Sequence, residues 1–522
     1  MKYIIRQLRT GKNYSKNVLK NKAAEKLRID PEEISGIEVI RRSIDARGRN
    51  PGYVITAAVS TKNESVSGAE PLNEIPPFKE LESGSDKLPA PVYIAGAGPA
   101  GLFAALLLAE KGYKPIVLEK GPPAPERYKA IEEMRHGGTK APDADIYSGE
   151  GGAGLYTDGK LNTRVNHPYT EYVLETLCDC GAPPEIRFDA KPHIGSDLLP
   201  GIIVNLRKKI ETAGGTFTFR TALTDIDTSS GQVSRIIFKD TSEKAGALIG
   251  AFGSSAYETI STLIEKGVPH NLRGSLIGLR VEHRQHIIDR AFYGNTLHAE
   301  HFGPAAYFIK YRGFAPVHSF CMCPGGEVLP CAGSGTGFST NGMSRSRRDS
   351  GFANSAIITP IRKEDLGDSY KTAISFLHGT EARGAELSGG KNILPAQSVQ
   401  EFLKKKTDGK LLPAPKSTKR QPAPLQTLLP VHYTRALEEA LLFFCKKIPG
   451  FSEGTLYGPE TRTGSVIQFV RSSDHTIPGF SNMYLCGEGA GHSGGITSSA
   501  VDGLKTAEAL IKKYKRPDFS AL

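Results

Sequence analysis

The feature that most constrains this chain is the segment at 91–121, PVYIAGAGPAGLFAALLLAEKGYKPIVLEKG. A short apolar run at 92–95 is typical of a buried parallel strand. An apolar helix is predicted at about 102–110, and a second apolar run occupies 116–118. Between the first strand and the helix stand three glycines with G-x-G-x-x-G spacing, Gly96, Gly98 and Gly101. The segment therefore predicts a strand, a tight turn, a helix and a second strand.

Each glycine of this turn has a physical reason. Gly96 permits the turn, Gly98 lets the backbone approach a pyrophosphate, and Gly101 lets the helix pack closely on the strand. The free N–H groups at the helix start favour phosphate. Glu119 follows the second strand, where its carboxylate can accept from a ribose hydroxyl and would repel a 2′-phosphate. The pattern predicts a dinucleotide site that does not suit NADP; the alternative is a glycine-rich turn without a ligand.

Composition sets the general class of protein. The chain has 522 residues, of which 39% are hydrophobic and 23% charged, as in soluble globular proteins with several domains. No apolar run is long enough to span a membrane, and the first ten residues lack the apolar core of a signal peptide. A cytoplasmic protein is expected, without membrane association.

The net charge of +11 admits two interpretations. It could attract nucleic acid or acidic ligands, or it could reflect a basic solvated surface. Because no compact basic and aromatic module is present, we favour the basic surface and do not expect nucleic-acid binding.

The seven cysteines do not predict a disulfide framework in a chain without a secretory signal. Two pairs have C-x-C spacing, Cys178 with Cys180 and Cys321 with Cys323. Neither pair has a matching partner pair for a metal, so no metal site is predicted. We expect reduced structural thiols; the alternative for Cys321 and Cys323 is a dithiol that relays electrons.

Two further glycine-rich segments lie far from the first. The stretch at 146–164, IYSGEGGAGLYTDGKLNTR, has too many glycines for the interior of a helix or strand. It suits a backbone that lies against a flat ligand; the alternative is a surface loop. The stretch at 481–510 places five glycines between a predicted strand and a helix at about 496–510.

A second glycine-rich helix start, at about residue 496, is not needed to bind NAD alone. It suits a flavin, because a helix dipole and free N–H groups stabilise negative charge on the reduced ring. Glu488 can accept from ribitol hydroxyls. The alternative is a turn that only docks the last helix.

These segments, together with FCMCPGGEVL, NGMSRSRRDSGFANSA and ETRTGSVIQF, resemble the uncharacterised FAD-dependent dehydrogenase family of the glutathione-reductase-like, two-dinucleotide-motif flavoprotein superfamily. The resemblance covers most of the chain from residue 90 onward, and residues 1–60 also look like that family. It implies non-covalent FAD, with NAD(P)H as a candidate external reductant. At 250–257 the chain has GAFGSSAY where the family tends to have Thr-Gly-His-Ser-Ala-Arg-Asp, which puts any substrate or second-nucleotide role of that motif in doubt.

The resemblance also implies where the cofactor lies. The first glycine turn would hold the pyrophosphate, Glu119 the adenosine ribose, and the two later glycine-rich segments the ribitol and the ring. Arg127 is interpreted either as a phosphate contact or as a surface arginine. No catalytic residue is assigned, and His492 beside the last glycine segment can equally be a packed side chain. The full set of predicted cofactor-binding residues is Gly96, Gly98, Pro99, Ala100, Gly101, Glu119, Lys120, Arg127, Gly151, Gly152, Ala153, Gly154, Ala222, Leu223, Gly253, Gly487, Glu488, Gly494, Gly495 and Ile496.

The predicted fold class is α/β. It comprises a Rossmann-like FAD-binding domain with a parallel sheet and helices, an inserted mixed α+β substrate domain and a small N-terminal α+β domain. The predicted division is 1–60 for the N-terminal domain, 61–88 for a linker, 89–255 and 455–522 for the FAD-binding domain, and 256–454 for the substrate domain.

The leading functional hypothesis is an FAD-dependent oxidoreductase that acts on a small molecule of unknown identity. The alternative is a flavin-binding sensor or RNA-associated protein without turnover, which the net charge and the N-terminal unit suggest. An NAD-only dehydrogenase would leave the C-terminal glycine cluster unexplained.

Overall fold

The computed structural model describes residues 1–47, 50–62, 70–72, 81–135, 146–147, 149–239, 241–332, 337–390, 393–415 and 418–518. Most of the predicted linker at 61–88 lies outside the described residues, as does Ser148 in the second glycine-rich segment.

A six-stranded sheet carries the first glycine turn. Every residue of its central strands Val92–Ala95 and Ala247–Gly250 is buried, as in a parallel sheet covered on both faces. Neighbouring strands are parallel except for the antiparallel pair at one edge. In spatial order the strands are Thr476–Ile477, Phe480–Leu485, Ala247–Gly250, Val92–Ala95, Ile116–Leu118 and Thr216–Thr218. The predicted strands at 92–95 and 116–118 are confirmed.

Two helices pack together against this sheet. Helix Pro99–Glu110 is apolar on all sides, and ten of its residues are buried. Helix Ile496–Lys513 lies across it, and a Cβ at Gly503 would come within 2.0 Å of the Ala100 carbonyl oxygen. A glycine is therefore required where the two helices cross. This close crossing places the middle of the last helix against the start of the first.

A seven-stranded sheet forms the second large layer. Its strands are antiparallel except for the parallel pair at one end. In spatial order they are Lys310–Arg312, Pro316–Pro324, Phe352–Pro360, Leu276–Arg284, Thr455–Glu460, Leu394–Ser398 and Arg420–Pro422. Strand Thr455–Glu460 belongs to this sheet, although the predicted domain division groups it with the other sheet. The division itself stays a prediction.

Helices and smaller sheets complete the architecture. Helices Tyr370–Ser388 and Val431–Lys447 contact the seven-stranded sheet. The remaining α-helices are Lys16–Leu27, Ala124–Arg135, Tyr169–Asp179, Leu199–Thr212, Tyr257–Glu265, Gln285–Tyr293, Leu297–Phe302, Lys363–Leu366 and Val399–Lys404. The smaller sheets contain Thr241–Lys244, Gln232–Phe238 and Leu223–Ser229; His270–Leu272 with Ile467–Phe469; and Gly326–Ala332 with Phe338–Ser344. Of the helices that the structure describes, none combines the length and the apolar composition needed to cross a membrane.

The N-terminal unit is a separate antiparallel sheet with one helix on it. Its strands, in spatial order, are Ile34–Asp45, Gly52–Thr61, Lys2–Thr10 and Glu70–Pro71. Arg42 joins this sheet to the rest of the chain, because its Nε donates to Asp189 Oδ1 at 2.7 Å. The same guanidinium lies over the rings of Phe188 at 4.9 Å and Tyr53 at 5.4 Å.

Candidate cofactor and substrate site

One cavity lies at the carboxyl ends of the parallel strands, where α/β sheets usually bind ligands. Its volume is about 840 Å³, within the range of about 300–1,000 Å³ that is usual for ligand sites. The first glycine turn, the last glycine-rich segment and the seven-stranded sheet all contribute to its wall. The fold thus brings distant parts of the chain to one site.

All but three of the predicted cofactor-binding residues line this cavity. They are Gly96, Gly98, Pro99, Ala100, Glu119, Lys120, Gly152, Ala153, Gly154, Ala222, Leu223, Gly253, Gly487, Glu488, Gly494, Gly495 and Ile496. The three that do not line it are Gly101, Arg127 and Gly151. The cavity fits the predicted extent of the cofactor, whereas the binding role of each residue stays a prediction.

Two helix N-termini open onto the cavity. Gly98 caps helix Pro99–Glu110 and Gly495 caps helix Ile496–Lys513, and neither cap makes a side-chain hydrogen bond to the helix. The first N–H groups of both helices are therefore left for a ligand. A Cβ at Gly98 would meet Gly152 Cα at 3.8 Å, so the protein leaves room in front of this backbone. These residues fit a pyrophosphate at one end of the cavity and an electron-rich ring at the other.

Glu119 lies at the end of its strand and faces the cavity. Its carboxylate accepts from the backbone N–H groups of Ala97 and Gly121, each at 2.8 Å. Burial raises the pKa of Glu119, although these two donors oppose the rise. The carboxylate is thereby held in a fixed orientation beside the first glycine turn.

Arg127 is not a surface residue, because it is buried and does not line the cavity, and its phosphate contact stays a prediction. Its side chain is fully buried, and its Nη1 donates to the carbonyl oxygens of Glu150 and Gly152, both at 2.9 Å. Its Nη2 donates to the Ile146 carbonyl oxygen at 2.9 Å. Arg127 therefore holds the second glycine-rich segment in place behind the cavity.

Gly101 and Gly151 also act behind the cavity wall. A Cβ at Gly101 would come within 1.9 Å of the Gly96 carbonyl oxygen, so this glycine allows the helix to approach the strand. The Gly151 N–H donates to the Ala97 carbonyl oxygen at 2.9 Å, which ties the second glycine-rich segment to the first turn. The close packing predicted for Gly101 is present.

The wall contributed by the other layers is aromatic, apolar and charged. Its apolar and aromatic residues are Tyr147, Tyr257, Ala306, Tyr307, Phe308, Phe320, Met322 and Pro324. Its principal polar and charged residues are Lys160, Asn162, Asn341, Arg348, Glu460 and Arg462. This composition differs from the glycine-rich wall and suits an organic molecule with polar substituents.

Buried ion pairs fix the charged residues of this wall. Glu460 accepts from Arg280 at 2.6 and 2.9 Å, and it also accepts from the Thr340 hydroxyl at 2.7 Å. Arg348 pairs with the fully buried Asp158 at 2.6 Å. Lys160 lies 3.9 Å from the same carboxylate. Each of these side chains is thus preorganised before a ligand arrives.

The two cysteines of the C-x-C motif lie at different depths. Cys321 is exposed and lines the cavity, whereas Cys323 is buried and its Sγ accepts from Lys160 Nζ at 3.3 Å. Although the Cys321 side chain is open to the cavity, the protein surrounding the cavity removes most bulk water from the thiol, and this desolvation raises its pKa to about 11. All seven cysteines are free thiols, and the electron-relay role of this pair stays a prediction.

His492 does not line the cavity. Its Nε2 lies 2.9 Å from the Phe469 carbonyl oxygen, and its Nδ1 lies 3.3 Å from Gln468 Nε2. It therefore has the packing role that the sequence offered as the alternative. Among the residues that the structure describes, no cluster of His, Cys, Asp and Glu is arranged to hold a metal ion.

Sequence reasoning missed several charged residues of the site. Glu460 and Arg462 belong to the segment ETRTGSVIQF, and Lys160 belongs to GKLNTR, both of which carried the family resemblance. These segments were recognised as family motifs. Nothing in the neighbouring sequence showed which of their charged side chains would face a ligand. Cavity-lining Tyr257 closes the GAFGSSAY segment, where the chain departs from the family pattern.

Family models match three parts of the chain. Residues 275–463 match a family described as FAD-dependent protein, C-terminal domain-like. Residues 89–131 match an FAD binding domain, and residues 1–60 match a domain of unknown function. The FAD binding match covers the first glycine turn and Glu119.

The solved structures that match this chain have low sequence identity to it and low TM-scores. A geranylgeranyl bacteriochlorophyll reductase-like protein from Thermoplasma acidophilum is 14% identical with a TM-score of 0.34, and the alignment covers 80% of this chain and 77% of that one. Glycine oxidase from Bacillus cereus is 12% identical with a TM-score of 0.32, over 81% of this chain and 94% of that one. Scores this low carry no conclusion about the present chain.

A relative is much more similar. An uncharacterised protein of Clostridium beijerinckii is 35% identical over 517 residues, which is 96% of this chain and 97% of that protein. The FAD binding domain and the FAD-dependent C-terminal domain fall within this shared length. The chain therefore belongs to the same family as the Clostridium beijerinckii protein, a family of FAD-dependent proteins, and its cofactor is FAD.

Proposed function

We propose that this protein is an oxidoreductase that uses non-covalently bound FAD to oxidise or reduce a small organic molecule. The observation that carries the proposal is one cavity with two unlike walls: the first is made of glycine turns and helix N-termini, and the second of aromatic and charged side chains. A protein that only stored FAD would not need the second wall. FAD, when bound, supplies the hydride or electron-pair transfer.

The residues of the first wall have binding roles in this proposal. The N–H groups at the start of helix Pro99–Glu110 hold the pyrophosphate, and Glu119 accepts from the adenosine ribose. The start of helix Ile496–Lys513 places partial positive charge beside the ring, which stabilises negative charge there. Glu488 is half-buried in the cavity wall, where it would accept from the ribitol hydroxyls, and burial raises its pKa.

The residues of the second wall orient the substrate and exclude water. Tyr257, Phe308 and Phe320 contribute apolar surface, and the Glu460 carboxylate is fixed by Arg280. A substrate between the two walls is held at a defined distance from the cofactor, which is the main contribution of protein to such chemistry. Lys160 and Glu460 are charged side chains of this wall that can contact the substrate beside these rings.

The test uses the purified full-length chain loaded with FAD. Under anaerobic conditions NADH and NADPH are titrated separately, and the flavin absorbance near 450 nm is followed, with reoxidation by an added quinone or dye. Bleaching by a reductant and recovery with an acceptor are expected. Stable FAD binding with neither reduction by any donor nor transfer of electrons from the photoreduced protein would instead favour a sensor without turnover.

A further inference from the structure

Arg462 lies in the second wall of the cavity, and its guanidinium is held on three sides. Its Nε and Nη2 donate to the two carboxylate oxygens of Glu381 at 3.0 and 3.1 Å. The rings of Tyr147 and Tyr257 lie against its Cζ, with centroids at 4.7 and 5.6 Å. The side chain is only 5% exposed, so these contacts fix its orientation.

The Nη1 edge of this guanidinium takes no part in the hydrogen bonds to Glu381. Across the described part of the chain, Arg462 Nη1 is among the buried side-chain atoms that have no hydrogen-bond partner. Glu381 is already occupied, because its Oε1 also accepts from the Thr461 hydroxyl at 2.7 Å. Leaving a buried charged donor unpaired is costly, so an acceptor on a ligand that reached Nη1 from the adjoining cavity would relieve that cost.

We infer that this edge of Arg462 binds a carboxylate of the substrate. The inference rests on the oxidoreductase function proposed above and names its substrate class. Arginine presents a planar set of donors that matches a carboxylate, and a charged acceptor satisfies it better than a neutral one. Tyr147, Tyr257 and Phe320 line the same cavity, so the acid carries an apolar or aromatic body.

The charges elsewhere in the same wall point to the same class of substrate. Lys160 and Arg348 share one carboxylate, Asp158, at 3.9 and 2.6 Å. Two cations with a single counter-charge leave this part of the wall with an excess of positive charge. An anion is therefore favoured over a cation along the cavity, since partly buried charges are poorly screened.

The experiment compares acids with their amides on the oxidised FAD-loaded protein, without turnover. Acetate with acetamide and phenylacetate with phenylacetamide are titrated, and the perturbation of the flavin absorption spectrum gives each Kd. Phenylacetate is expected to bind at least tenfold more tightly than phenylacetamide. Equal binding of both members of each pair, or no binding of either acid, would overturn the inference while leaving the proposed redox function intact.

Arg462→Lys is the informative variant. Lysine keeps a positive charge opposite Glu381, but its compact ammonium has no second edge to offer, so the preference for acid over amide should fall at least tenfold. Flavin content should be unchanged. Arg42→Lys is the matched control, because Arg42 also pairs with a carboxylate between two aromatic rings but lies outside the cavity wall.

Ligand binding to the two variants and reduction of the flavin together separate three outcomes. Loss of the acid preference in Arg462→Lys but not in Arg42→Lys supports the inference. A higher Kd for FAD in Arg462→Lys, with an unchanged preference for acid over amide, would show that Arg462 binds the cofactor and would overturn the inference. Failure of every donor to reduce the flavin and of the photoreduced protein to transfer electrons, with acid binding retained, contradicts the proposed function and leaves the carboxylate site standing as a ligand site.

Discussion

Substitution of Gly98 by alanine tests how FAD approaches the first glycine turn. The φ angle of Gly98 is −76°, which alanine adopts without strain. A Cβ there would meet only Gly152 Cα, at 3.8 Å, which is an ordinary contact. The protein without cofactor should therefore tolerate the methyl group, with a change in the free energy of unfolding within about 0.5 kcal/mol.

The same methyl group should weaken the binding of FAD. If the pyrophosphate lies against this backbone, the methyl group displaces it from at least one N–H donor. A hydrogen bond to a charged group contributes about 1.5–3 kcal/mol. At about 1.4 kcal/mol for each factor of ten, FAD should bind about 10- to 150-fold more weakly.

Two other Gly→Ala variants provide controls for this measurement. At Gly101 the Cβ would lie 1.9 Å from the Gly96 carbonyl oxygen, so Gly101→Ala should disrupt the packing of strand and helix and destabilise the fold. Gly201 lies exposed in helix Leu199–Thr212 with nothing within 4 Å of its Cβ position. Gly201→Ala should leave FAD binding unchanged and raise stability by up to about 1 kcal/mol.

The assay has two independent readings. FAD is titrated into each apoprotein while flavin fluorescence is followed, and the melting temperature of each apoprotein is measured separately. The expected pattern is lost affinity with normal melting for Gly98→Ala, and lowered melting for Gly101→Ala. Wild-type FAD affinity in a normally folded Gly98→Ala protein would refute the placement of the pyrophosphate at this turn.

Three further predictions follow from buried groups. Arg127→Met removes three bonds to loop carbonyl oxygens and should lower the free energy of unfolding in urea by about 3 kcal/mol, whereas an unchanged midpoint would contradict its anchoring role. Burial raises the pKa of Glu282 from 4.5 to about 7, so the folded protein holds this proton to higher pH than the unfolded chain does. The free energy of unfolding should then fall, by up to about 3 kcal/mol, as the pH rises between these values, and Glu282→Gln should flatten that dependence in melting curves. If Cys321 and Cys323 relay electrons, anaerobic thiol titration should find two more thiols after NADPH reduction of the oxidised protein than before it, and an equal count excludes the relay.

The sequence predicted the parts of the site that depend on local backbone geometry. The first glycine turn combines a steric requirement, a helix start and an acidic strand end within one short segment, so its structure follows from neighbouring residues. The start of helix Ile496–Lys513 was predicted for the same reason. Helix and strand propensities sufficed because every requirement lies within a few residues.

The second wall could not be predicted in this way. Arg462 is paired with Glu381, which lies on a helix of another segment, and Arg280 is paired with Glu460 across two strands. These contacts exist only after the seven-stranded sheet has assembled, and sequence periodicity carries no information on them. Arg127 shows the same limit. Its position near the glycine motif allowed either a phosphate contact or a surface position, and the structure instead buries it and bonds it to loop carbonyl oxygens behind the wall.

This difference between the walls bears on how the site is built. The glycine wall offers backbone N–H groups and requires little more than close approach, so a general FAD binding pattern can specify it. The second wall is made of side chains whose orientations are fixed by buried ion pairs, and removing one partner of such a pair leaves an uncompensated charge. In the proposed site, substrate choice would therefore depend on residues that also stabilise the second sheet. Replacing Arg462 alone by a neutral residue would leave Glu381 as a buried unpaired charge, so a variant that removes this charge needs replacement of both residues.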